Sequence, residues 1–271
     1  MDMIDLGLKA STKFNQIKDR LQYQPEVFEF YTDENDFTSE GLKRLEYDIE
    51  WVKNEATDKI ILHHPMKYRG IATELVAPES NCSQLYHFIE QSSLDLLQLA
   101  KKHHVQTLIH GAYARQTQHF ISMYPSLSKA EEALFERLDH FKKLGGENVM
   151  FENSLSPLFA YGYPVDEEKI LAHHYRLAFD VSHCFIKTHG DNQALINSLQ
   201  NLKDDVVHYH LVDSMGQAHD SLPVGDGKID WKRVLPCLNP QATNIFEIKL
   251  ADENNATEQV ASYHYLKDLQ G

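Results

Sequence analysis

The chain has 271 residues, of which 42% are hydrophobic and 24% are charged, so it has ample material for a hydrophobic core. The 40 acidic residues outnumber the 26 basic ones, which gives a formal net charge of −14, and no run of four Lys or Arg residues occurs. Nucleic acid is therefore a disfavoured partner, because so acidic a chain repels a polyanion.

Eight short β-rich apolar runs alternate with longer amphipathic stretches along the whole chain. The predicted strands are residues 4–8, 27–31, 59–64, 105–110, 148–153, 176–183, 206–213 and 244–249. Between them, apolar residues recur at the i, i+3, i+4 and i+7 spacing of helices. Strands that alternate with helices indicate a parallel sheet. Eight such units favour an α/β (β/α)8 TIM barrel, forming a single domain over residues 1–271.

Helix ends are marked by a few residues. Ser128 with Glu131 is typical of a capping box that begins a helix, and Gly145 with Gly146 should end that helix before the next strand. Asp230 is a plausible N-cap for a helix that follows it. The sequence leaves open whether the stretch after strand four, residues 114–126, forms a lid over the catalytic face.

Compartment and membrane signals are few. No stretch approaches the ~20 apolar residues needed to span a bilayer, and no basic segment followed by an apolar one begins the sequence. Cys82, Cys184 and Cys237 are widely spaced, which argues against a disulfide framework or a CxxC metal site. A reducing, cytoplasmic setting is therefore expected.

Side chains that can hold metal recur at six successive predicted strand ends. They are His63 and His64, His110, Glu152, Asp180 and His183, His208 with His210 and Asp213, and Glu247. Strands of such a barrel are normally apolar, and their carboxyl ends meet at the catalytic face. We therefore predict a divalent metal site there. Mixed carboxylate and imidazole ligands suit Mn²⁺, Co²⁺, Zn²⁺ or Fe²⁺.

Not all of these side chains are expected to bind metal. Glu152 and Glu247 are the firmest candidates, because a carboxylate in an apolar strand needs a metal or a cationic partner. We expect His208 to pack inside the barrel with a hydrogen-bonded ring. Because successive strand side chains alternate, either His63 or His64 must point away from the barrel axis.

Several of these motifs together resemble a known superfamily. In order, the motifs are FEN, FDVSH, HYHLVDS, LPVGDGKIDW and FEIK, at residues 151–153, 179–183, 208–214, 222–231 and 246–249. A looser match includes LHHP at 62–65 and IHGAY at 109–113. The series resembles the xylose-isomerase-like barrels. That group includes sugar and sugar-phosphate isomerases and epimerases, and AP endonucleases of the endonuclease IV type.

The resemblance implies roles for particular residues. It assigns one metal to the four residues at the positions that bind it in ketose epimerases, namely Glu152, Asp180, His210 and Glu247. His183 matches a residue that binds substrate or a further zinc, and His63 and His110 match ligands of the endonuclease zinc cluster. Ser221 stands where the nuclease has a histidine, although the nearby His219 partly compensates. The arginine that follows the strand-seven histidine in ketose epimerases is missing from residues 214–217.

The leading hypothesis is isomerisation or epimerisation of a sugar, sugar phosphate or related polyol through a metal-stabilised enediolate. Glu152 and Glu247 would be the catalytic carboxylates that exchange a proton with the substrate carbon. The residues expected to bind substrate, including any phosphate, are His183, His64, His219, Lys249, Arg115 and Lys67. Gly225 and Gly227 form either a phosphate-binding loop or only a turn.

Two other functions stay open. The rival is phosphoester hydrolysis, with His63, His110 and Glu152 holding one metal and the remaining ligands a second. A non-catalytic sugar-binding barrel is the third reading, opposed by the presence of both candidate proton-transfer glutamates. A small carbohydrate is the expected partner, and the superfamily resemblance leaves a homo-oligomer open.

Overall fold

The computed structural model of the chain describes residues 4–113 and 116–270. Eight strands form one sheet in which each strand pairs in parallel with the next along the chain. They are β1 (Gly7–Ser11), β2 (Val27–Tyr31), β3 (Ile60–His63), β6 (Gln106–His110), β7 (Val149–Glu152), β8 (Leu177–Asp180), β9 (Val206–Leu211) and β10 (Thr243–Phe246). A short antiparallel hairpin, β4 (Lys67–Tyr68) and β5 (Ile71–Ala72), is inserted after β3.

Helices follow the strands and cover the outside of the sheet. They are α1 (Phe14–Leu21), α2 (Ser39–Glu55), α3 (Glu79–His103), α4 (Thr117–Ile121), α5 (Leu127–Gly145), α6 (Pro164–Leu171), α7 (Val181–Lys187), α8 (Asn192–Leu202), α9 (Trp231–Val234) and α10 (Thr257–Gln270). Within residues 4–113 and 116–270, none of them combines the length and apolar character needed to cross a membrane. The predicted (β/α)8 barrel is confirmed.

The two ends of the sheet meet between β1 and β10. A Cβ atom on Gly7 would lie 1.8 Å from the backbone oxygen of Asn244, so only glycine allows this close approach. The Asn244 side chain also accepts from the Asp5 backbone N–H at 3.0 Å and donates to the Asp5 carbonyl at 2.9 Å. These contacts bring the first and last strands side by side.

The barrel interior changes from apolar to polar along the strands. One buried cluster consists of one residue from each of six strands, namely Val27, Ile61, Leu108, Met150, Ala178 and Ile245. Side chains two positions further along a strand share its face. Those positions hold Glu29, His63, His110, Glu152, Asp180 and Glu247. The interior is therefore apolar in its lower layer and ionisable in the layer above.

Several predicted boundaries are wrong. The last two strands end at Leu211 and Phe246, before the predicted residues 213 and 249. The first strand lies at Gly7–Ser11, later than the predicted residues 4–8, because Lys9 and Ser11 are buried within it. β8 ends at Asp180, whose side chain accepts from the His183 backbone N–H at 2.7 Å and begins α7. The capping box predicted at residues 128–131 does not form, because Ser126 caps α5 instead.

Two other helix-end predictions are confirmed. Gly145 is the last residue of α5, and Gly146 follows it with a φ of +57° that favours glycine. Asp230 caps α9 by accepting from the Arg233 backbone N–H.

Candidate metal centre

The four residues predicted as central ligands come together at the carboxyl ends of their strands. Glu152 ends β7, Asp180 ends β8, His210 lies in β9, and Glu247 directly follows β10. Each offers one ligand atom, and the four atoms lie within 4.8 Å of one another. His210 Nδ1 is 3.1 Å from Glu152 Oε1 and also contacts Glu247 Oε2. A single imidazole nitrogen therefore faces both glutamates.

Asp180 is held in place by its own neighbourhood. Its backbone N–H donates to Asn153 Oδ1 at 2.7 Å. Its Oδ1 accepts from the Ser182 hydroxyl at 2.8 Å and from the His183 backbone N–H. The other oxygen, Oδ2, lies 3.8 Å from His183 Nδ1. One carboxylate oxygen is thus used by the fold, and the second remains to act as a ligand.

A second group of potential ligands shares Glu152. His110 Nε2 is 2.9 Å and His63 Nε2 is 3.5 Å from Glu152 Oε2. His63 Nδ1–H donates to the His64 carbonyl at 2.7 Å, which leaves its Nε2 lone pair facing the carboxylate. His63, His110 and Glu152 together could hold an ion.

His183 is close to these ligand atoms but is not aimed at them. Its Nδ1–H donates to the Asn153 carbonyl at 3.0 Å, and the same nitrogen is 3.9 Å from Glu152 Oε1. Its ring stacks on that of His219, with centroids 4.9 Å apart. Among the described residues, the groups that could hold an ion do not include His183.

The charges in the centre depend on one another. Burial raises the pKa of Glu152, but His110 and His210 outweigh burial and hold it well below its ordinary value. Burial lowers the pKa of His210, yet Glu152, Glu29 and Glu247 raise it well above its usual range. The three carboxylates therefore stabilise the protonated, positively charged form of the His210 imidazole. A cation that binds Nδ1 must displace the proton that this pKa places there.

Several buried polar atoms in the centre lack a hydrogen-bond partner among the described residues. They are both carboxylate oxygens of Glu152, Nε2 of His63 and Nδ1 of His210. Buried polar atoms in folded proteins are nearly always paired, so each exception needs an explanation. These four face one another without hydrogen-bond alignment. Anionic oxygens together with imidazole lone pairs are a donor set that fits a divalent metal.

Two ionisable residues that the sequence analysis missed lie beneath the centre. Lys9 Nζ is 3.1 Å from Glu29 Oε1 and also contacts Glu247 Oε1. Glu29 Oε2 accepts from His210 Nε2–H at 3.0 Å and from His208 Nε2–H at 3.2 Å. Glu29 lies in the apolar run VFEFY and so carries the same sequence signal as Glu152, a carboxylate in an apolar strand. Lys9 was outside the predicted first strand.

The expectation for His208 is confirmed. Its ring is fully buried inside the barrel, and Nδ1 accepts from the Thr243 hydroxyl at 2.7 Å while Nε2–H donates to Glu29. Burial lowers the pKa of His208, which keeps the ring neutral.

A cavity of about 360 Å³ opens beside the candidate ligands His110 and Glu247. It is lined by Met66, Lys67, Ala72, His110, Tyr113, Ser154, Leu155, His183, His219 and Glu247. Three of the residues expected to bind substrate, Lys67, His183 and His219, are therefore placed around one space. This space is large enough for a small sugar.

The remaining residues expected to bind substrate are placed elsewhere. His64 points into the helical shell, where its Nε2 hydrogen-bonds to the Ser92 hydroxyl at 2.8 Å and burial lowers its pKa to about 3. Strand alternation sends His63 inward and His64 outward, so the structure contradicts a substrate contact for His64. Lys249 is exposed and does not line the cavity. Arg115 lies outside the described residues.

The glycine loop after β9 is explained by Asp213. This buried carboxylate accepts from the backbone N–H groups of Gly225 at 2.9 Å and Ile229 at 3.2 Å, and from the Trp231 indole at 2.8 Å. A Cβ atom on Gly227 would lie 2.1 Å from Asp213 Oδ1. The loop needs its glycines to wrap this carboxylate, which accounts for the motif as a turn.

Comparison with known proteins places this site in a familiar fold. No family model matches the chain, and no curated protein matches it in sequence. Among solved structures, a D-tagatose 3-epimerase-like protein superposes with a TM-score of 0.72 at 16% identity, covering 97% of this chain and 96% of that one. A 3-keto-D-glucoside 4-epimerase from E. coli gives 0.68 at 13% identity, covering 97% and 98%.

An AP endonuclease, family 2, from Brucella melitensis superposes with a TM-score of 0.65 at 14% identity, covering 95% of this chain and 98% of that one. These likenesses confirm the (β/α)8 barrel fold. Identities this low do not identify the reaction, because one barrel hosts many chemistries.

Proposed function

We propose that the chain is a divalent-metal-dependent isomerase or epimerase of a sugar, sugar phosphate or related polyol. The observation that carries the proposal is the convergence of Glu152 and Glu247 on His210 Nδ1, at the edge of a cavity that Glu247 lines. Two structural neighbours whose names include a sugar epimerase support the same assignment.

The chain's own residues would bind the substrate and move its proton. A divalent cation held by Glu152, Asp180, His210 and Glu247 would supply a Lewis acid for the negative charge that develops on the substrate oxygens. Glu247 has 27% of its side chain exposed, and Lys9 and His210 lower its pKa although burial raises it. It is therefore an ionised carboxylate that can take a proton from a carbon in the cavity. Epimerisation needs a second carboxylate on the other face of that carbon, and Glu152 is the candidate.

Orientation of the substrate would fall to the cavity walls. Because His183 Nδ1–H is used by the Asn153 carbonyl, its Nε2 can accept a hydrogen bond from a sugar hydroxyl. His219 stacks on the same ring and narrows the opening. Lys67, which is exposed at the cavity wall, is placed to receive an anionic group such as a phosphate.

Metal-dependent phosphoester hydrolysis is the second candidate. The observation that favours it is the additional ligand group of His63, His110 and Glu152, which could hold a second ion beside the first. The formal net charge of −14 and the serine at position 221 both argue against DNA as its substrate.

One experiment separates the two candidates. Purified protein is analysed for metal by mass spectrometry and assayed with a panel of ketoses and a phosphodiester, alongside Glu247→Gln and His110→Ala variants. One ion per chain, with ketose turnover that Glu247→Gln abolishes, supports the epimerase. Two or more zinc ions, with diester hydrolysis that His110→Ala abolishes, would replace it with the hydrolase. Unaltered metal content and turnover in Glu247→Gln would reject both.

Further details belong to the same proposal. We infer Mn²⁺, Zn²⁺ or Co²⁺ as the metal, on the basis of the mixed oxygen and nitrogen donors. We also place the reaction in the cytoplasm, since the three cysteines are free thiols. Assembly into a homo-oligomer is proposed on the superfamily resemblance alone.

A further inference from the structure

A buried ion pair from the first two strands lies directly behind the metal ligands. We propose that Glu29 and Lys9 are positioning residues of opposite effect: Glu29 orients His210 and strengthens metal binding, whereas Lys9 competes for Glu247 and weakens it. This inference rests on the metal dependence in the proposed function. It adds two strands, β1 and β2, to a site otherwise built from β3 and β6 to β10.

Glu29 fixes which nitrogen of His210 can bind metal. The imidazole has two nitrogens, and Glu29 Oε2 accepts from Nε2–H at 3.0 Å. An ionised carboxylate can only accept, so it holds the proton on Nε2 and leaves the Nδ1 lone pair for a cation. Nδ1 is the nitrogen that contacts Glu152 and Glu247. Carboxylates behind metal-binding histidines raise metal affinity in this way.

Glu29 is itself held by a second histidine and by the lysine. His208 Nε2–H donates to the same oxygen at 3.2 Å, and Lys9 Nζ lies 3.1 Å from the other oxygen. The Glu29 side chain is completely buried. A buried ion pair is a weak source of stability compared with well-packed apolar residues, so its presence calls for another role.

Lys9 has the opposite effect on metal binding. Its ammonium contacts Glu247 Oε1, while the other oxygen of the same carboxylate contacts His210 Nδ1. The lysine side chain is only 9% exposed, so solvent screens its charge poorly. A bound cation must therefore share Glu247 with a fixed positive charge and is repelled by it. Removing that charge without removing the hydrogen-bond donor should tighten metal binding.

Charge-neutralising variants of similar shape test both halves of the proposal. Stripped wild type, Glu29→Gln and Lys9→Gln are titrated with Co²⁺, using calorimetry and the d–d absorption that reports the coordination geometry. We expect Glu29→Gln to weaken Co²⁺ binding by roughly 10–100-fold. Lys9→Gln should tighten it by about tenfold.

The matched control is Glu167→Gln. Glu167 is a buried glutamate in α6, bonded to Gly162, Ser198 and Asn201 and outside the metal centre. It should lower thermal stability and leave Co²⁺ affinity and the absorption spectrum unchanged. Weaker binding in both Glu29→Gln and Lys9→Gln would indicate a merely structural pair and overturn the proposal, as would unchanged binding in both.

A second measurement does not depend on the variants folding. In Zn²⁺-loaded wild type, long-range ¹⁵N–¹H spectra of the histidine rings should show the His210 proton on Nε2, and a proton on Nδ1 would overturn the assignment. If wild type binds no Co²⁺ or Zn²⁺, the inference and the metal dependence of the proposed function fail together. If it binds metal with the expected pattern but turns over no sugar, only the proposed function fails.

Discussion

Two buried glutamates, one in the barrel interior and one in the helical shell, differ in the hydrogen-bond partners that surround them. Glu167 in α6 is satisfied by neutral donors, since its Oε1 accepts from the Gly162 backbone N–H at 2.8 Å and its Oε2 from Asn201 at 2.7 Å. Glu152 in β7 is equally buried, yet neither of its oxygens has an aligned hydrogen-bond partner among the described residues.

The difference separates a structural carboxylate from a candidate metal ligand. Neutral donors around Glu167 compensate for lost water, so nothing further is needed there. Around Glu152 the neighbours are imidazoles that approach at 2.9–3.5 Å without alignment. Such an arrangement compensates the carboxylate fully only when a cation is shared among the groups.

The most direct test of this difference is to replace each of the two glutamates with glutamine. Glu152→Gln should abolish stoichiometric metal binding and reduce sugar turnover by about 10²–10⁴-fold, because it removes both a ligand and a proton-transfer group. Glu167→Gln should leave the turnover of the folded protein within about twofold of wild type. Metal analysis and steady-state kinetics check both. Equal losses in the two variants would contradict the distinction.

A third buried glutamate, Glu74, gives a pH-dependent version of the test. Among the described residues it accepts from the Tyr113 backbone N–H and the Thr117 hydroxyl, and burial raises its pKa to about 7 despite these bonds. The folded state therefore binds a proton that the unfolded state has released above its ordinary pKa of 4.5. This contribution to stability is complete below that value and is lost as pH rises through about 7.

Wild type should consequently lose up to about 3 kcal/mol of stability, relative to Glu74→Gln, between about pH 4 and pH 8. Denaturant unfolding of both proteins across that range measures the difference. A difference that does not vary with pH, or that grows in the opposite direction, would show that Glu74 is ionised in the folded protein.

Metal removal should affect the thermal stability of the Glu152 and Glu167 variants differently. At a free metal concentration near 100 times Kd, the bound ion adds ~2.7 kcal/mol to the free energy of unfolding. Chelation should therefore lower the Tm of wild type by roughly 5–10 °C. Glu167→Gln should respond to the chelator as wild type does, whereas the Tm of Glu152→Gln should not change. A Tm of wild type that ignores both metal and chelator would contradict the account.

The smallest effect expected is the loss of stability in Glu167→Gln itself. An amide keeps one acceptor oxygen but places an N–H against the Ser198 hydroxyl, the Asn201 amide or the Gly162 N–H. We expect a loss of about 1–3 kcal/mol in the free energy of unfolding, as for other disrupted buried hydrogen bonds. Chemical denaturation measures it. A loss near zero would mean that Glu167 is not the structural carboxylate described here.

Much of the fold could be predicted from sequence because its signals are local. The alternation of strands and helices identifies the barrel, and ionisable side chains at apolar strand ends mark the four residues of the candidate metal centre, Glu152, Asp180, His210 and Glu247. The split between His63 and His64 also follows from strand alternation, although the sequence does not say which one faces inward.

The rest of the centre depends on contacts that no local pattern encodes. Lys9 is buried because Glu247, 238 residues away, lies beside it when β1 meets β10. A lysine normally indicates solvent exposure, and Lys9 lies just beyond the first strand predicted at residues 4–8. Glu29 could have been predicted from the apolar strand that contains it. Its contacts with His208 and His210 are known only from the closed barrel.

Anomalous diffraction from crystals grown with Mn²⁺ or Zn²⁺ tests the central claim most directly. We expect one ion bound by Glu152, Asp180, His210 Nδ1 and Glu247, at about 2.0–2.3 Å from each ligand atom. Full occupancy elsewhere, or no anomalous signal within reach of Glu152 and Glu247, would contradict the account.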